Sequence, residues 1–242
     1  MIRATRDPGG DRVTRHATAR LVVEAGDWPY AVANAEPIDR YWQQRTTQKP
    51  GFFNGIVHML TALDDAGPAM AATFRPVEFK SFLHWRDHGF PEAGVRDAFG
   101  SALIRSAEGH VILGRQARGN LNSGLAYPPG GFIDPRDVTA DGTIDIEGSV
   151  LREVAEETGL GPGDLMRVPG FIVTVAGPQV SISVELRSPL PAEDLARRIR
   201  AHIASEAEPE LADVVIVDRA DALPREAMPF YTTVLLGAVF AE

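Results

Sequence analysis

Residues 152–160, Arg-Glu-Val-Ala-Glu-Glu-Thr-Gly-Leu, carry Glu153, Glu156 and Glu157 in a stretch that reads as helix. At about 100° per residue, the three carboxylates share an arc of roughly 100°. Leu151, Val154 and Ala155 fall on the other side, which is read as core-facing. Like charges three or four residues apart on a helix repel. Such a stripe is either solvated on a surface or held for something positive, and a hard divalent cation takes several carboxylate oxygens at once. Gly159 stands where the helix would end in a left-handed cap. Upstream, Tyr-Pro-Pro-Gly-Gly-Phe-Ile-Asp (127–134) supplies a glycine loop through which backbone can approach a ligand closely.

The elements that must position these groups follow from hydropathy period and turn residues. The carboxylate-bearing helix is expected over about 146–158. Before it, 97–117 reads as a hairpin turned at Ser-Ala-Glu-Gly-His, and after it come strands at 166–176 and 179–187. An amphipathic helix at 192–206, a strand at 210–218 and a buried helix within 228–240 complete the chain. Upstream, a strand at 19–25, a helix at 37–49, a hairpin of 55–63 with 69–77 and a helix at 78–89 are expected. Interleaved strands and helices make the class mixed α/β or α+β. A boundary is placed near residue 95, giving an N-terminal extension over 1–95 and the chemical domain over 96–242.

The 242 residues carry a formal charge of −9, and 44% of them are apolar. The acidic balance argues against nucleic acid as a partner, which favours a basic face. There is no cysteine, so thiolate catalysis and Cys-ligated zinc are excluded, and a reducing, cytoplasmic setting is expected. The first twenty residues contain five Arg and no apolar run. They are not read as a secretory signal but as a frayed tail. The thirteen residues 228–240 are too few to span a bilayer.

Gly-Gly-Phe-Ile followed by Arg-Glu-Val-Ala-Glu-Glu-Thr-Gly-Leu resembles the Nudix box, G-x5-E-x7-R-E-U-x-E-E-x-G-U, where U is aliphatic. Arg152, Glu153, Val154, Glu156, Glu157, Gly159 and Leu160 match every fixed position of its second half. The first half departs. Counted from Gly131, the acidic position is Asp137, and fourteen residues (138–151) separate it from Arg152 where the family has seven. Either Asp137 serves, with an insertion around Thr139–Thr143, or Glu147 at the helix start replaces it.

The resemblance implies an α/β/α sandwich with a mixed sheet and a metal-dependent pyrophosphohydrolase. The substrate would be a nucleoside diphosphate linked to another moiety, such as a nucleotide sugar or ADP-ribose-like compound. It implies Mg²⁺ or Mn²⁺ held by Glu153, Glu157 and Glu156, with a backbone carbonyl from Gly131, and Arg152 orienting a glutamate. The alternative on the same fold is a non-catalytic nucleotide-binding or regulatory module. The extension would shape the substrate pocket or pair subunits into a homodimer.

The general base is open: a box glutamate, one of Glu206, Glu208 and Glu210, or Glu185 in a strand. Arg115 and Arg118 are candidates to grip phosphates, and Tyr127 to line a base or sugar pocket. His84 and His88, four apart with Trp85 between them, lack the glutamate that a zinc-protease helix needs. They are read as packing groups.

Overall fold

The computed structural model describes residues 10–49, 51–119 and 121–241. In chain order the elements are β1 (Arg12–His16), β2 (Thr18–Val23), α1 (Pro29–Ala33), α2 (Ala35–Gln48), β3 (Ile56–Asp64), β4 (Ala69–Glu78) and α3 (Phe79–Asp87). Then follow β5 (Asp97–Arg105), β6 (Val111–Gln116), β7 (Ala126–Tyr127), α4 (Ile146–Thr158), β8 (Met166–Arg167), β9 (Phe171–Ala176) and β10 (Gln179–Arg187). The chain ends with α5 (Ala192–Ser205), β11 (Leu211–Val217) and α6 (Phe230–Val239).

The strands form two sheets. The larger has eight strands in the order β1-β9-β10-β5-β6-β11, with β7 on β6 and β8 on β10. It is mixed: β10 runs parallel to β5 and the other pairings are antiparallel. The smaller sheet is β2-β4-β3. Side chains alternate faces along a strand, and β5 shows the consequence. Ala102 and Ile104 join Val150 and Val154 of α4 and Leu195 and Ile199 of α5. Leu103, between them, joins Leu235 and Leu236 of α6. Helices therefore cover both faces of the large sheet, and the class is the expected mixed α+β sandwich.

The smaller sheet covers the rest of the α4 face. Leu21, Met70 and Phe74 pack with Ala98, Val180 and Ile182 of the large sheet and with Ile146 at the start of α4. Its other side carries α3, where Phe82 and Trp85 bury against Val57, Met59 and Val77. His84 accepts or donates at 2.9 Å to the Tyr30 hydroxyl and stacks on His88 at 4.0 Å, which is the packing role expected of the pair.

One expectation needs correction. The frayed tail is not one from residue 12 onward. β1 is the edge of the large sheet, pairing with β9 over Arg12↔Val175 to His16↔Phe171, and β2 belongs to the small one; residues 1–9 lie outside the described residues. β1, which joins the large sheet, comes from the residues assigned to the N-terminal extension.

Candidate active site

The site forms where β5 and β6 part. They pair only at Ile104↔Ile112 and Arg105↔Val111. Beyond that point the segment 126–132 crosses from one strand to the other. It pairs as β7 with Gly114 and Arg115 of β6, then lies against β5. Ala102 N–H donates to Pro129 O at 2.7 Å, and Gly100 and Gly131 exchange two bonds of 3.2 Å. The glycines are required by this closeness. A Cβ on Gly130 would lie 2.7 Å from the Ser101 Cα, and one on Gly131 would lie 2.8 Å from the Glu153 carboxyl carbon.

Across this crossing lies α4. Asp145 caps its start, accepting from Gly148 N–H at 2.9 Å, and Gly159 ends it at φ 68°, as its position in the sequence requires. The helix is rotated from the expected orientation. Val150, Val154, Glu157 and Thr158 are buried, whereas Leu151 is 41% exposed and Ala155 is exposed. The acidic stripe therefore grazes the core rather than facing away from it. Glu157 is buried, Glu153 half-buried and Glu156 exposed.

That gradient sets the electrostatics. Burial, followed by the charges of Glu210 and Glu153, raises the Glu157 carboxyl well above its ordinary range, against one bond of 3.2 Å from Gly130 N–H. Burial and Glu156 raise Glu153, and Arg152 opposes them. The protein thus gathers carboxylates out of water without enough cationic compensation. Among the described residues no three Asp, Glu or His groups stand close enough to hold a metal ion as placed. The donor chemistry nonetheless fits a hard dication: Glu153, Glu157 and Glu210 line one cleft with the Gly130–Gly131 backbone, and all offer oxygen. The Gly131 carbonyl already accepts from Gly100, which leaves its second lone pair.

The two candidates for the upstream acid have different partners. Asp137 is buried and holds Arg152 at 2.8 Å, while its other oxygen accepts from Asp134 N–H at 2.9 Å. Glu147 instead pairs with Arg167 at 2.8 Å. The added residues form a small hairpin. Val138 bridges Ile144, Thr139 N–H donates to Thr143 O at 2.8 Å, and Asp145 N–H donates to Asp137 O at 2.9 Å. The hairpin thus returns the chain to its starting point before α4 begins. It also docks on the small sheet: Val23 N–H donates to Gly142 O at 3.1 Å, and Ile144 N–H to Leu21 O at 3.0 Å.

The cleft has a volume of about 380 Å³. Of the distal acids, Glu210 lines it; Glu206 and Glu208 line an adjoining depression with Glu156, and Glu157 and Glu210 line both. Glu206 stands 3.9 Å from His202. Tyr127 lines the cleft and also belongs to a buried cluster with Ala176 and Tyr231. Arg115 and Arg118 do not line the cleft. Gln116 faces the cleft, so its strand neighbour Arg115 points to the other face, where it donates to Gly124 O at 3.0 Å. Arg118 is exposed in the following loop. Glu185 is not strand-face surface but buried, between Arg15 at 3.3 Å, Arg105 at 3.6 Å and Arg187 at 2.9 Å. It is a structural ion-pair centre outside the cleft. The reading of the sequence missed Phe52, Phe82 and Arg86, which the N-terminal part contributes to the cleft wall.

A family model described as the NUDIX domain matches residues 94–234. The chain belongs to the NUDIX family, and with it to the hydrolases of pyrophosphate bonds. Solved structures similar to it include a Nudix hydrolase from M. smegmatis, at 16% identity and a TM-score of 0.40, covering 60% of this chain and 83% of that one. The MutT protein from Methanosarcina mazei follows at 20% and 0.37, covering 59% and 91%. An Ap4A hydrolase from C. elegans gives 13% and 0.40, covering 59% and 92%. No curated protein sequence matches the chain.

Proposed function

We propose that the chain is a metal-dependent pyrophosphohydrolase that cleaves a nucleoside diphosphate linked to another moiety, with a nucleotide sugar or an ADP-ribose-like compound as the first substrate to test. The observation that carries this reading is the pair Glu153 and Glu157, withdrawn from water beside the Gly130–Gly131 backbone on a cleft large enough for a nucleotide. Buried carboxylates that repel one another are costly unless a cation joins them.

Glu153 and Glu157 would hold Mg²⁺ or Mn²⁺, with Glu156, at the exposed edge, reaching it through water. When bound, the ion neutralises charge on the diphosphate oxygens and lowers the pKa of a coordinated water. Arg152, fixed by Asp137, steadies the Glu153 carboxylate, which lies 3.5 Å away. Of the acids at 206–210, Glu210 would take a proton from the attacking water; its position on the wall of the cleft with Glu153 and Glu157 supports this assignment. The Pro128–Phe132 segment orients the diphosphate against these groups and keeps bulk water out from below.

The test is release of a nucleoside monophosphate or phosphate from a panel of nucleotide sugars, ADP-ribose, dinucleotides and nucleoside triphosphates, with Mg²⁺, with Mn²⁺ and with chelator. Metal-dependent turnover of at least one diphosphate is expected. Tight binding across the panel without turnover would replace this reading with the non-catalytic module.

A further inference from the structure

The cleft is strongly acidic, yet its substrate is an anion. Glu153, Glu157, Glu210, Asp97 and Asp134 line it, against two arginines, Arg86 and Arg136. Arg136 is already spent: its guanidinium takes the Asp134 carboxylate through bonds of 2.7 to 3.2 Å. Arg86 is held differently. Its Nη2 donates to Asn122 Oδ1 at 2.8 Å and more weakly to Leu121 O at 3.4 Å. Both acceptors are neutral, and among the described residues no ion pair neutralises Arg86. A guanidinium tethered only by neutral oxygens keeps its full charge and its remaining N–H groups for a partner.

Its mounting is rigid. Arg86 sits on α3, directly after five buried residues, Ser81 to Trp85. Trp85 donates to Pro91 O at 2.7 Å and packs edge-on to Trp28 and Phe90. The adjoining wall is aromatic, with Phe82 edge-on to Phe132 at 5.0 Å and Phe52 completing it. A rigid cation beside apolar rings, whose charge is felt by the buried Asp97 but which no ion pair among the described residues ties down, suits one phosphate of a diphosphate whose other phosphate faces the carboxylates lining the same cleft.

We infer that Arg86, supplied by the N-terminal part, is the phosphate anchor of this cleft and selects substrates that carry a second anionic group beyond the one at the metal-holding glutamates. The inference rests on the proposed hydrolase reading, whose own failure is separable. Binding of a methylene-bridged nucleoside diphosphate, which cannot be hydrolysed at that bridge, is measured by calorimetry with Mg²⁺, apart from any turnover. If the wild type binds it but hydrolyses nothing in the panel, the hydrolase reading falls and the anchor stands.

Arg86→Gln should weaken that analogue roughly 10- to 100-fold, as expected for losing a hydrogen bond to a charged group, and Arg86→Lys should recover part of the loss. The KM of a hydrolysed diphosphate should rise in the same proportion with kcat changed much less. The competing role is a mere latch on the 121–122 loop. A latch predicts that the phosphate-free nucleoside weakens as much as the analogue and that lysine rescues nothing. Either of those results, or unchanged analogue binding in Arg86→Gln, or no analogue binding by the wild type, overturns the inference.

Discussion

Helices α4 and α3 look into the same cleft from two sides and are built on different principles. α4 carries its candidate site residues within one short stretch, Arg152, Glu153, Glu156 and Glu157, and Gly130 and Gly131 precede the helix in the chain. α3 contributes Phe82 and Arg86 from a helix that is mostly core, through contacts with residues 28, 57, 59, 77 and 132. The first wall tolerates no change in its few positions but asks little of the rest of the chain. The second depends on the whole N-terminal part being folded against it.

Glu157→Gln breaks the contrast most sharply. It should lower kcat by roughly 10²–10⁴-fold while leaving the fold intact. Its effect on stability without metal should be favourable. The Glu157 carboxyl is raised in the folded state by burial and by Glu210 and Glu153, so the native state binds more protons than the unfolded one above the ordinary glutamate pKa. Stability therefore falls as pH rises from that value through the raised one, and the glutamine variant loses this dependence. Thermal melts in chelator from pH 4 to 8 check it. A variant that unfolds would show that this carboxylate is structural.

Gly130→Ala tests the loop between the two walls. Backbone, not a flexible side chain, meets the added methyl, so it should cost about 3 kcal/mol or more, judged from overpacking, and show as a lower Tm. Gly131→Ala meets only the end of Glu153; it should keep the Tm and lose activity. Asp137→Asn removes the charge that holds Arg152. The asparagine can still accept from Asp134 N–H, so a loss of about 1–3 kcal/mol is expected, together with a lower kcat.

The smallest effect lies in the N-terminal part, away from the cleft. Asp65 is opposed by burial, but the two bonds from Arg12, of 2.8 and 3.0 Å, outweigh it and hold its carboxyl below the usual range. A depressed carboxyl stabilises above the unfolded pKa and loses that contribution as pH falls through the folded one. Asp65→Asn should cost about 1 kcal/mol or less at neutral pH, progressively less as the pH falls through the lowered folded pKa, and leave kcat unchanged. A changed kcat would mean that this corner of the molecule communicates with the cleft.

The sequence made α4 legible because its charges, its cap at Gly159 and the glycine pair are near neighbours in the chain. Even there the rotation was misjudged. Leu151 and Ala155 are apolar yet face water, and Glu157 is charged yet buried. The choice between Asp137 and Glu147 could not be made from spacing, since the hairpin between them folds back on itself. Strand alternation could have excluded Arg115 once the Val111–Leu113–Arg115 series was assigned to the α6 face. Nothing local marks Arg86, which is one arginine among many until α3 is docked.

The docking of residues 139–144 on β2 has a practical consequence for anyone wishing to work with the catalytic half alone. A polypeptide begun near residue 95 would leave those backbone groups without their mate, strip the outer strand from β9, and open to water the side chains of Ala98, Val180 and Ile182. Bare strand margins of that kind stick to one another. Such a fragment should precipitate, and limited proteolysis of the intact chain should find no easy cut that frees it.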